Sequence, residues 1–63
     1  MAINYQVARW DKNKCYETKP KTKSFSAATK QFETLLKKPN TYRVIIKRHE
    51  GGISETIVSK VIN

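Results

Sequence analysis

The sequence predicts a small α+β fold: an antiparallel sheet of three to four strands with one helix packed on one face, in the order strand, strand, helix, strand, strand. Three observations lead there. Residues 3–9 alternate apolar and polar, residues 25–36 carry apolar side chains at helical spacing, and residues 41–62 hold two β-branched runs split by Gly51-Gly52. With 63 residues the chain has room for one domain, spanning 1–63, and a domain of about 60 residues buries only about 60% of its unfolded surface.

Ile3-Asn4-Tyr5-Gln6-Val7-Ala8-Arg9 reads as a strand with Ile3, Tyr5 and Val7 on one face. Asp11-Lys12-Asn13-Lys14 supplies turn chemistry, and Cys15-Tyr16-Glu17-Thr18 is short enough to be the return arm of a hairpin. Lys19-Pro20-Lys21-Thr22-Lys23 is a connector, because Pro20 lacks a ladder donor and restricts the residue before it.

Phe25, Ala28, Phe32, Leu35 and Leu36 project into one arc of a helix over residues 24–38. Ser24 is a fitting N-cap, Lys37 and Lys38 suit the negative end of the helix dipole, and Pro39-Asn40 stops the run. Thr41–Arg48 follows as a strand, and the glycine pair provides the positive φ angles of a two-residue hairpin turn. Ile53 to Val61 is the natural partner strand, although Ile53, Ile57, Val58, Val61 and Ile62 would also fit a helical period, which leaves a terminal helix after Ser54 as the alternative.

A regular second hairpin sets Glu50 opposite Ile53, Arg48 opposite Glu55, Ile46 opposite Ile57 and Val44 opposite Ser59. Tyr42, Val44, Ile46 and Ile57 then join Ile3, Tyr5, Val7 and the helix stripe in the core, and Tyr16 falls on the same inner face. The outer sheet face receives Arg43, Ile45, Lys47, His49, Thr56, Val58 and Lys60, with Gln6, Ala8, Trp10, Cys15, Glu17 and Lys19 from the first hairpin.

Charge narrows the partner. Thirteen Lys and Arg residues against five acids give a formal net charge of +8, and from residue 9 onward only residues 50–63, with one base and two acids, are not basic. Such a charge concentrates anionic partners, of which phosphate backbones are the commonest. The candidate nucleic-acid contacts are Trp10, Lys19, Lys21, Lys23, Arg43, Lys47 and Lys60: the cations neutralise phosphates and Trp10 offers a stacking surface. Single-stranded and duplex polymers are both allowed, since neither a Gly-rich aromatic strand nor a Gly-x-x-Gly clamp occurs.

A second reading makes Ala8, Trp10, Ile45 and Val58 an apolar interface. Its partner is an acidic protein surface or another copy, making the chain a regulator, inhibitor or accessory subunit, of viral type among others. Small domains often need such a partner for stability. Pairing through an exposed edge strand would serve the same end.

Catalysis fits the residues poorly. His49 is the one histidine and adjoins a turn, Cys15 is the one cysteine, and Asp11, Glu17, Glu33, Glu50 and Glu55 are scattered without a pair suited to acid-base or metal work. No cofactor motif or metal cluster is expected. A lone thiol and an opening that resembles a strand rather than a leader favour the cytoplasm, and no apolar run is long enough to cross a membrane.

Overall fold

A computed structural model describes residues 2–12 and 14–62, apart from the side chain of Tyr16. The strands are β1 (Ile3–Asp11), β2 (Lys14–Thr18), β3 (Thr41–Glu50) and β4 (Ile53–Val61), and the helix α1 (Phe25–Leu36) lies between β2 and β3. The expected α+β order is therefore present, and residues 53–61 form a strand rather than a helix. Spatially the order is β2-β1-β3-β4, with every neighbouring pair antiparallel.

The helix starts where Ser24 accepts a hydrogen bond at Oγ from the Ala27 N–H, 3.2 Å, and ends at the cap residue Lys37. Asn40 turns the chain into β3 with a φ of 64°, a left-handed value that asparagine tolerates. Ala28, Phe32 and Leu35 pack against Val7, Val44 and Ile46, and this single cluster is the core beneath the helix. Phe25 lies at its margin, edge-on to Tyr5 with ring centroids 5.3 Å apart.

In the second hairpin, Gly51 and Gly52 have φ values of 56° and 82°, as a type I′ turn requires. Glu50 faces Ile53 and Arg48 faces Glu55, as the spacing predicts. A bulge then corrects the rest of the register. Ile57 has no partner on β3, so Ile46 faces Val58 and Val44 faces Lys60. One extra residue reverses the alternation of everything after it. Val58 therefore packs on the core and Lys60 shares its face, whereas both were expected on the outer side. Ile57, expected in the core, is 40% exposed, and Tyr42 is also exposed, at a second register shift between β1 and β3.

The first hairpin carries a similar shift. Trp10 faces Cys15, both on the outer side as expected, but Arg9 faces Glu17 and Ala8 faces Thr18. Glu17 is thus on the helix side rather than the outer face. The inner placement expected for Tyr16 and the turn position of Asn13 lie outside the described residues. Beyond Thr18 the connector stays attached to β1: the Lys19 N–H donates to the Val7 carbonyl at 2.8 Å, and Tyr5 and Thr22 exchange backbone hydrogen bonds of 2.7 and 2.8 Å. This segment is a continuation of the sheet edge, not a free linker. No described helix is long and apolar enough to cross a membrane.

Candidate nucleic-acid interface

Because Val7, Val44 and Ile46 point to the helix, the alternate residues of the central strands form the open face of the sheet. In register across β1, β3 and β4 lie Asn4, His49 and Ser54, then Gln6, Lys47 and Thr56, then Ala8, Ile45 and Ser59, then Trp10, Arg43 and Val61. Thr18 and Cys15 extend the last two rows onto β2.

The charges divide between the two sides. Asp11, Glu17, Glu50 and Glu55 all fall on the helix side of the sheet, and Glu33 is on the helix. Three of them are engaged there. Arg48 binds Glu50 at 2.5 Å and Glu55 at 3.0 Å, while Glu17 binds Lys38 at 2.8 Å and approaches Arg9 to 3.7 Å. The hydrogen bond from Lys38, reinforced by the charges of Lys38, Lys19 and Arg9, holds the Glu17 carboxyl below its ordinary range. The open face carries Arg43 and Lys47, and among the described residues neither forms an ion pair.

Lys21 joins them from the connector. Thr22 pairs with Tyr5 on the helix side, so the preceding residue falls on the open side, where it lines a shallow groove with Asn4, His49 and Ser54, bordered by Glu50 at the hairpin end. His49 is held at both ring nitrogens, Nδ1 by Ser54 Oγ at 2.5 Å and Nε2 by Gln6 Oε1 at 3.1 Å. Burial first, and then the positive charges of Lys21 and Lys47, push its imidazolium below the ordinary value of 6.5, so the ring is neutral at pH 7. Cys15 pairs with Trp10 at the other end of β1, about 20 Å along the strand, so Cys15 and His49 are not a catalytic pair.

At that other end the Arg43 guanidinium lies 5.2 Å from the centroid of the Trp10 ring and reaches Ser59 Oγ at 3.4 Å. A guanidinium therefore already sits over the Trp10 ring.

Of the residues expected to contact nucleic acid, the fold gathers Trp10, Lys21, Arg43 and Lys47 on one side. It separates Lys19, which stands beside Glu17, and Lys60, which stands opposite Val44; Lys23 is exposed just before the helix. The expected apolar patch is also corrected. Ala8 and Ile45 are on the open face but only 7% and 2% exposed, shielded by their longer neighbours, and Val58 belongs to the core side. Alternation places Gln6 and His49 on this face as the sequence predicts, but their hydrogen bond to each other at its polar end depends on the pairing of β1 with β3 and carries no local signal.

Among the described residues no three His, Cys, Asp or Glu side chains come together as metal ligands. Compared with known proteins, the chain matches no family model, no curated protein and no solved structure.

Proposed function

We propose that this protein is a non-enzymatic polyanion binder, with nucleic acid as its ligand, acting through the open sheet face. The observation that carries the reading is charge segregation. Four of the five acids lie away from that face and the fifth, Glu50, at the hairpin end of the groove, is paired with Arg48, while Lys21, Arg43 and Lys47 form no ion pair with a carboxylate among the described residues. An anionic polymer laid across the strands meets these cations, and the carboxylate at its margin, Glu50, is already neutralised by Arg48.

Contact is to the phosphate backbone rather than to bases. Trp10 is the face's aromatic group, and Arg43 covers it, so a base would have to displace a bound guanidinium in order to stack. Binding is then insensitive to sequence, and its site is the cytoplasm, a compartment that suits the exposed thiol of Cys15.

Fluorescence anisotropy with labelled single-stranded and duplex oligonucleotides across a salt series tests this. Three phosphate contacts give a slope of log K against log salt of about −3 on duplex DNA. R43E/K47E should weaken binding about tenfold or more and flatten the slope toward about −1. K30E/K37E changes net charge equally but on the helix, and should have a much smaller effect. Equal losses in both variants would reduce the effect to net charge and overturn the assignment of the face. Absence of binding at low salt, with retention of an acidic protein instead, would replace the ligand.

A further inference from the structure

The open face is not the only unpaired surface. β2 and β4 are the end strands of the sheet, and β4 is unusual for an edge. It runs for nine residues without proline and carries one acid and one base, Glu55 and Lys60, on a chain of net charge +8. Ile53, Ile57 and Val61 are 71%, 40% and 50% exposed along it. Long edges with exposed apolar side chains and little charge pair with other chains unless they are protected.

The pattern within β4 specifies a second copy as the occupant. Antiparallel pairing about a two-fold axis perpendicular to the sheet keeps each side chain on its own face. An axis passing between Ile57 and Val58 sets Glu55 opposite the partner's Lys60 and Lys60 opposite the partner's Glu55. In a regular strand this register is forbidden, because residues 55 and 60 would point to opposite faces. The bulge at Ile57 removes the conflict: Glu55 faces Arg48 and Lys60 faces Val44, both on the helix side.

Hydrogen bonding selects the same register. The type I′ turn closes on the Glu50–Ile53 pair, so by alternation Glu55 turns its backbone groups inward while Ser54 and Thr56 turn theirs outward. At the far end the Ile62 N–H donates inward to the Tyr42 carbonyl at 2.7 Å, so Ser59 and Val61 are the outward pair. The proposed axis sets Ser54 opposite the partner's Val61 and Thr56 opposite the partner's Ser59, outward groups meeting outward groups. Charge, facing and ladder thus agree on one register.

We propose that the chain forms a two-fold homodimer through β4, joining two sheets into one continuous eight-stranded sheet. The axis preserves faces, so both basic open faces lie on one side and both helices on the other. This assembly does not depend on the polyanion reading, and it is measured without any polyanion. An edge-to-edge contact of this size is modest, and its dissociation constant is on the order of 1–100 μM.

Sedimentation equilibrium at increasing protein concentration should show the mass rising to twice that of the 7.3 kDa chain. T56P blocks an outward N–H without removing a bond to β3, and should leave a folded monomer by circular dichroism. E55K and K60E each place like charges opposite one another and should each be monomeric alone, yet form a mixed dimer when combined, because each supplies the charge the other lacks. A wild-type chain that is still monomeric near 1 mM overturns the proposal. So does a dimer that survives T56P, or a failure of E55K and K60E to combine.

Discussion

Arg9 shows how far a single side chain can depart from its apparent role. It contributes to the basic N-terminal half of the sequence, yet it is buried on the helix side, where Nε donates to Thr41 Oγ1 and Nη2 to the Pro39 carbonyl, both at 2.8 Å. Thr41 Oγ1 in turn lies 2.7 Å from the Lys38 carbonyl and 3.1 Å from that of Leu35, groups freed at the end of the helix. The Arg9 guanidinium reaches Thr41 Oγ1 and the Pro39 carbonyl together in a fixed fork that an ammonium cannot reproduce. R9A should therefore destabilise the fold by about 2–3 kcal/mol in urea denaturation, and R9K should recover only part of the loss. His49 gives a second test at this scale. Its pKa, already below 6.5 in the free protein, should rise on adding an oligonucleotide, because phosphate offsets the repulsion from Lys21 and Lys47; an imidazole titration by NMR reads the change. The sign for stability follows from the same shift. The unfolded chain binds the proton more readily, so the contribution is complete above about pH 6.5 and is lost as pH falls through the folded value.

The helix and the hairpins differ in how well local sequence describes them. The apolar spacing of Ala28, Phe32 and Leu35 corresponds to the buried stripe, because helical periodicity is fixed by the backbone and tolerates no slip. L35A removes a fully buried side chain from the one core cluster beneath the helix, and should cost about 2–5 kcal/mol, read as a lower denaturation midpoint with unchanged slope. In a domain of this size such a loss approaches the total stability. The strands are less legible. Their existence and the Gly51-Gly52 turn were visible, and the register next to the turn was correct for Arg48 and Glu55. Beyond the bulge at Ile57 the faces of Val58 and Lys60 reversed. A bulge depends on how a strand twists against its neighbour, and no local residue pattern marks it in this chain.

Over the whole molecule, the arrangement of charge is more informative than its amount. A net charge of +8 implies an anionic partner but no direction. Folding supplies the direction by turning Asp11, Glu17, Glu50 and Glu55 to the helix side and leaving Arg43 and Lys47 on the other, with Lys21 beside His49. Trp10, Arg43 and Lys47 were legible as members of that face from alternation alone, whereas Lys19 and Lys60 were not, because a connector hydrogen-bonded to β1 and a bulge decide where they point. The element order, the helix and its cap, the glycine turn and the excess of positive charge are written locally in the chain, since each follows from backbone preference or simple composition. Tertiary structure alone decided the strand register, the burial of Ala8 and Ile45, the inward use of Arg9 and the uncovered edge of β4. These depend on which strands become neighbours, and one residue of slip in a pairing of period two exchanges the inside of a sheet for its outside.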